Sequence, residues 1–69
     1  MNHFRELRRI TGWTQAELAD RIGVQRSAIA NYEAGYPPAR VPALKFMALA
    51  RDWGVDCTLE ELYQDHESA

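Results

Sequence analysis

The sequence predicts an all-α domain of five short helices and no strand. Three observations lead there. Apolar residues recur at offsets of three and four, as in Leu18, Ala19 and Ile22 and again in Val24, Ala28, Ile29 and Tyr32, which is the stripe of a helix and not of a strand. The apolar segments are punctuated by Gly12, Gly23, Gly35 and Gly54 and by Pro37 and Pro38. Thr-x-x-Glu spacing occurs at Thr14/Glu17 and at Thr58/Glu61, where a hydroxyl and a carboxylate can reciprocally satisfy the free amides of a helix start.

The first helix is expected over His3–Thr11, with Asn2 as its N-cap and Gly12 as its stop. Its buried side is Phe4, Leu7 and Ile10, and Trp13 closes the corner. The second helix spans Gln15–Ile22 behind the Thr14 cap. The third runs over Arg26–Ala34 and ends at Gly35, and its cap position falls on Gln25, a poor capping residue. Tyr36-Pro37-Pro38-Ala39-Arg40-Val41 is excluded from helix by its prolines. The fourth helix opens near Pro42, a good first-turn residue, and continues through Leu44, Met47, Ala48 and Trp53 to Gly54. The fifth covers Leu59–Gln64, with Leu59, Leu62 and Tyr63 as its apolar residues, and residues 65–69 form a polar, frayed tail. Residues 1–69 are read as one domain.

The second and third helices carry the functional signal. Two helices crossing steeply through a short turn bring their backbones close, so the contact wants a tiny residue, which Ala19 supplies. The turn wants a residue tolerant of positive φ, which Gly23 supplies. Ile29 plugs the angle between the helices, and the start of the third helix is left projecting outward, shaped to enter a DNA major groove.

Gln15, Ala19, Gly23 and Ile29, with Thr14 before them and Glu33-Ala34-Gly35 after them, resemble the phage-repressor and Cro family, the XRE-type helix-turn-helix domain. The resemblance runs from about Phe4 to Tyr63. It implies a five-helix lambda-repressor-like fold and sequence-specific binding of double-stranded DNA.

Size and charge bound the remaining possibilities. A chain of 69 residues buries roughly 60% of its unfolded surface, so its stability is marginal. A lone cysteine, Cys57, permits no intrachain disulfide and fits a reduced compartment. The start MNHFRELRRI is too polar for a signal peptide, and no apolar run approaches the ~20 residues that span a membrane. A cytoplasmic protein without a membrane partner is expected. The net charge of −2 is unevenly distributed. Residues 1–51 hold all eight Lys and Arg with four acids, a net of +4, while residues 52–69 hold six acids and no base, a net of −6. That segregation suits a basic face toward phosphate and an acidic C-terminal part turned elsewhere, although a solvated surface with an acidic last helix shows the same pattern.

Catalytic chemistry finds no support. His3 and His66 lie at opposite ends, Cys57 has no motif partner, and there is no glycine-rich phosphate loop, metal-ligand spacing or nucleophile elbow. No enzyme activity, cofactor, metal or small-molecule substrate is expected.

The first turn of the third helix is different. Arg26, Ser27 and Asn31 lie opposite Ala28, Ile29 and Tyr32, Gln25 precedes them, and all four can hydrogen-bond base edges: Arg to guanine, Asn and Gln to adenine, Ser to several partners. By resemblance they match the base-reading positions of phage repressors. Gln15, by resemblance, grips a phosphate with its backbone amide and side chain together, at a helix N-terminus suited to anions. Arg9, Arg21, Arg40 and Lys45 are further phosphate candidates, and Arg40 is best placed because it follows the reading helix. The loop after Gly35 departs from basic relatives by carrying Tyr36 and two prolines, so that Tyr36 offers a hydroxyl where a charge would stand. By resemblance, Arg8 and Glu33 form an ion pair joining the first helix to the end of the third.

The function expected is that of a small Cro-like transcriptional repressor. Its partners would be duplex DNA, a second copy of the chain through Trp53, Val55, Leu59 and Tyr63, and RNA polymerase where it contacts a promoter complex. The alternative is a protein-interaction module of the same fold that has lost DNA binding and uses the acidic C-terminal part as its surface.

Overall fold

The computed structural model describes residues 2–67, with side chains placed for residues 2–64. These residues form five helices and no strand: α1 His3–Thr11, α2 Gln15–Ile22, α3 Arg26–Glu33, α4 Arg40–Asp52 and α5 Leu59–Glu67. Local chemistry sets most of the boundaries. Asn2 Oδ1 accepts the Arg5 N–H at 3.1 Å to open α1. At α2, Thr14 Oγ1 accepts the Glu17 N–H while the Glu17 carboxylate accepts the Thr14 N–H, and at α5 Thr58 and Glu61 make the same reciprocal pair. The Thr14 backbone N–H first, and the Thr14 side chain second, hold the Glu17 carboxyl below the ordinary carboxylate pKa. The start of α3 has no side-chain cap, as Gln25 leads one to expect.

One buried cluster holds the helices together. Phe4 and Leu7 of α1, Leu18, Ala19 and Ile22 of α2, Ile29 of α3, Ala43, Phe46 and Ala50 of α4, and Leu62 of α5 all lie within it. Phe4 is its hub. Its ring stacks on Phe46 with centroids 4.0 Å apart and tilts against Tyr32 at 5.0 Å, so one side chain joins α1 to both α4 and α3. Ring pairs of this kind add ~0.5–1.5 kcal/mol to the area they bury.

The structure corrects several boundaries and faces. Helix α4 begins at Arg40, not near Pro42, so Arg40 and Val41 are helical. Pro42 is its third residue. There the missing N–H is one the helix leaves unpaired in any case, and the carbonyl its ring would strike, that of Pro38, lies outside the helix. The first bond of the helix runs from Ala43 N–H to Ala39 O. The buried face of α4 is also turned by about one residue. Ala43, Phe46 and Ala50 are buried, whereas Leu44 and Ala48 are exposed and Met47 is half-buried. Two alanines let α4 come close to the core, and Phe46 turns inward onto Phe4.

Ile10, expected in the core, is 41% exposed, since Phe4 and Leu7 complete the part of α1 that faces the other helices. Helix α3 ends at Glu33, one residue early, and Tyr36 N–H returns to Asn31 O through Gly35. Trp53 is not part of the α4 stripe but the residue that caps its end. Helix α5 runs three residues beyond Gln64, to Glu67, because the Thr58 box starts it firmly and no breaker follows. The expected polar tail therefore begins inside this helix. Residues 68–69 and the His66 side chain lie outside the described residues.

The turn between α2 and α3 is closed by backbone. Gly23 adopts φ 75°, and the N–H groups of Gly23 and Val24 both reach Ala19 O. A Cβ on Gly23 would meet only Lys45 Nζ, at 3.6 Å, so space is available and the conformation is what excludes a side chain. Gly23→Ala should therefore cost about 1 kcal/mol from positive φ alone. Thermal denaturation should show a fall of roughly 4–8 °C, and an unchanged melting temperature would mean that the turn relaxes to negative φ.

Candidate nucleic-acid interface

Helix α3 is held from behind. Its buried side chains are Ile29 and Glu33, with Ala28, Ala30 and Tyr32 half-buried, while Gln25, Arg26, Ser27 and Asn31 are exposed. The apolar wedge explains the orientation: Ile29 is wholly buried against the α2 stripe of Leu18, Ala19 and Ile22, so the residues opposite it on α3 face outward.

The far end of α3 is fixed to α1 by polar contacts. Asn2 Nδ2 donates to Tyr32 O at 2.9 Å while its Oδ1 caps α1. Arg8 Nη1 donates to both Glu33 oxygens, at 3.1 and 3.2 Å, and Arg8 Nε donates to Trp13 O at 3.2 Å. The Glu33 side chain is only 7% exposed and that of Arg8 29%. Gln15 Nε2 donates to Glu33 Oε1 at 3.1 Å, and Gln15 Oε1 in turn accepts from Arg26 Nη1 at 3.2 Å. A continuous set of hydrogen bonds thus runs Arg8–Glu33–Gln15–Arg26, from α1 through α3 and α2 back to the start of α3. Among the described residues no buried side-chain nitrogen or oxygen lacks a partner.

The structure brings some of the sequence-derived positions together and disperses others. Arg8, Glu33, Gln15 and Arg26 are joined. Arg9, itself exposed, instead pairs with Glu6 on its own helix, and this contact holds the Glu6 carboxyl below its ordinary pKa. Arg21 lies with its guanidinium 4.1 Å from the centroid of the Trp13 ring, and Trp13 in turn meets Trp53 edge-on at 5.4 Å. Arg40 is exposed at the first position of α4, Lys45 reaches the α2–α3 turn, and Tyr36 is 63% exposed in the loop after α3. Trp53 and Tyr63 are exposed at 45% and 38%, while Val55 and Leu59 are half-buried. Sequence reasoning missed the second bond of Asn2, the stacking of Arg21 on Trp13 and the bond from Gln15 to Arg26. The last had no signal in the sequence, since Gln15 lies at the end of α2 away from the turn and the bond depends on how the two helices cross.

Two short helices crossing at an alanine, a glycine turn between them and an outward polar face on the second define a helix-turn-helix domain. A helix-turn-helix family model matches residues 4–51, and the chain belongs to the XRE-type helix-turn-helix family. It is also similar to the HTH-type transcriptional regulator AnsR of Bacillus subtilis (strain 168), with 36% identity over 62 residues, 90% of this chain and 50% of that protein. The chain spans about half the length of this curated relative. No solved structure matches it. Among the described residues, no helix is long and apolar enough to cross a membrane.

The Arg8–Glu33 contact makes a stability prediction. Removing Arg8 leaves a nearly buried carboxylate with only the Gln15 amide as a polar partner, at a cost of about 2–3 kcal/mol. Arg5 is exposed, so its removal should cost well under 1 kcal/mol. Urea denaturation of Arg8→Ala and Arg5→Ala should separate them clearly, and equal small losses would show that solvent rescues Glu33.

Proposed function

We propose that the chain is a small Cro-like transcriptional repressor that reads duplex DNA by setting the start of α3 in the major groove. The observation that carries this reading is the exposed set Gln25, Arg26, Ser27 and Asn31 on a helix clamped from behind by Ile29 and Glu33. Each of these side chains can bond base edges, and a rigid back face gives them a defined register. Phosphate contacts position the domain without reading sequence. The Gln15 backbone amide, Tyr36, Arg40 and Lys45 are the proposed donors, with Arg21 and Arg9 further out. Arg9 contributes least because Glu6 already neutralises it. The site of action is the cytoplasm, and repression follows from occlusion of a promoter or contact with RNA polymerase.

Base and phosphate roles differ in what they do to binding. Asn31→Ala should lower affinity for the operator by about ten-fold or more while leaving random-sequence binding and melting temperature nearly unchanged. Arg40→Ala should weaken all duplexes alike and flatten the salt dependence by about one unit. Titrations of both variants against operator and scrambled duplexes across a salt series check this. The operator is first found by footprinting DNA beside the encoding gene and by random-sequence selection. A wild-type chain that prefers no duplex at low salt would overturn the DNA reading in favour of a protein-interaction module built on the acidic segment after residue 51.

The reading includes a homodimer on DNA through Trp53, Val55, Leu59 and Tyr63. Two-fold pairing there would set two copies of α3 about one DNA turn apart, ~34 Å. Leu62 is not available to it, being buried within the subunit. Sedimentation of the complex on a full operator should give two chains per duplex and Trp53→Ala should reduce it to one, whereas one wild-type chain on a full site would exclude the dimer.

A further inference from the structure

Taking the DNA-reading role of α3 as its basis, we infer that Lys45 is an acylation site, and that an acyl group on its Nζ lowers the affinity of the chain for duplex DNA. Of the eight Lys and Arg side chains, seven are arginine and Lys45 is the single lysine. A guanidinium stays protonated and takes no acyl group, whereas a lysine amine is a nucleophile in its unprotonated form. The amino terminus aside, an acyl donor therefore meets one basic nitrogen that it can modify. The fold sets that nitrogen at the turn between α2 and α3. Ala43 and Phe46 are wholly buried and fix α4 in the core, while Lys45 beside them is exposed. Its Nζ lies 3.6 Å from where a Cβ on Gly23 would stand, and Gln25, which precedes α3, follows Gly23 by two residues. Among the described residues no carboxylate pairs with Lys45. Arg8 and Arg9 are held by Glu33 and Glu6, Arg26 donates to Gln15, and Arg21 lies over Trp13.

The donor class that suits this nitrogen is an acyl phosphate, a mixed anhydride that needs an exposed amine and no docking groove. Its phosphate is drawn to the basic part of the chain, since residues 1–51 carry eight bases against four acids, a net of +4. The Nζ lone pair forms a C–N bond to the acyl carbon. The bond from that carbon to the phosphate oxygen breaks, phosphate leaves with the electron pair, and the amine proton passes to solvent. Nothing is oxidised or reduced. The product is a neutral amide, so the charge is lost and one N–H remains. Against DNA this removes a charge-assisted donor from the proposed phosphate set and adds bulk at the turn before Gln25. A phosphate contact reads no base, so operator and random duplexes weaken alike. No carboxylate among the described residues depends on Lys45, so the fold loses no ion pair with it.

The test incubates the full chain with acetyl phosphate at mildly alkaline pH, with and without excess duplex, and locates adducts by peptide mass spectrometry. Acetylation is expected at Lys45 Nζ and, as an internal reference, at the amino terminus, and bound duplex should protect Lys45. The treated chain should bind every duplex roughly three- to tenfold more weakly, with a salt dependence flatter by about one unit. Its melting temperature should not change. Lys45→Arg has no side-chain amine, so treatment should leave its affinity at its own untreated value. An amino terminus that is modified while Lys45 is not would overturn the inference. So would an adduct at Lys45 that leaves binding unchanged, an equal loss in treated Lys45→Arg, or a fall in melting temperature that accounts for the loss. An untreated chain that prefers no duplex would instead overturn the DNA reading on which the inference rests, and that result is seen before any acyl donor is added.

Discussion

A carboxylate buried in a small domain is a liability unless every oxygen is answered, and Glu33 answers for the whole arrangement. Two bonds from Arg8 and one from Gln15 converge on it, and its side chain keeps only 7% of its surface. An ion pair of this kind contributes little net stability compared with apolar residues of the same shape, because desolvation consumes the Coulomb gain. Its effect is geometric. It accepts donors from α1 and α2 at the last residue of α3, and a packing error among these three helices would strand a charge. The apolar core tolerates small shifts, whereas one Arg8 nitrogen shared between both Glu33 oxygens at 3.1 and 3.2 Å, with Gln15 on Oε1 at 3.1 Å, does not.

The core is correspondingly sparse. It has two phenylalanines at its centre, four leucine or isoleucine side chains from α1, α2 and α3, Leu62 from α5, and alanines where helices approach one another. Ala19 lets α2 and α3 cross closely, and Ala43 and Ala50 do the same for α4. Small residues at the crossings place the larger ones in contact, so Phe4 can touch both Phe46 and Tyr32. Desolvation raises the pKa of the Tyr32 hydroxyl, which fits a ring drawn into this contact.

Helix existence and most helix starts were legible in the sequence because they depend on neighbours in the chain. The Asn2 cap, the Thr14 and Thr58 boxes and the Gly23 turn are all decided within a few residues. The face of α4 was not legible. Leu44 and Met47 are the more apolar side chains, yet Ala43 and Ala50 are buried, and the choice is made by Phe46 meeting Phe4 from a distant part of the chain. The start of α4 was not legible for a related reason: proline disfavours helical backbone at the residue before it, which sets the expected start at Pro42, yet Arg40 and Val41 are helical ahead of it. For the candidate site, the polar character of the outward face followed from periodicity. The bond from Gln15 to Arg26 did not, since it depends on how two helices cross.

Helices α2 and α3 are stabilised in opposite ways. Helix α2 begins with a complete capping box, while α3 begins at Gln25 with no side-chain bond to its first amides. A missing cap forgoes about 1 kcal/mol, and at eight residues α3 is too short to persist on its own. It is therefore held by Ile29 against α2, by Tyr32 against Phe4, and by Asn2 and Arg8 at its far end. All these holds lie toward its back and its C-terminal half. A serine or aspartate cap would have secured the helix from the front, with its own oxygen occupying the amides that face outward. Anchoring from behind leaves those amides and the Gln25, Arg26 and Ser27 side chains uncommitted to capping, so the end of α3 proposed to meet DNA is the end its own fold uses least.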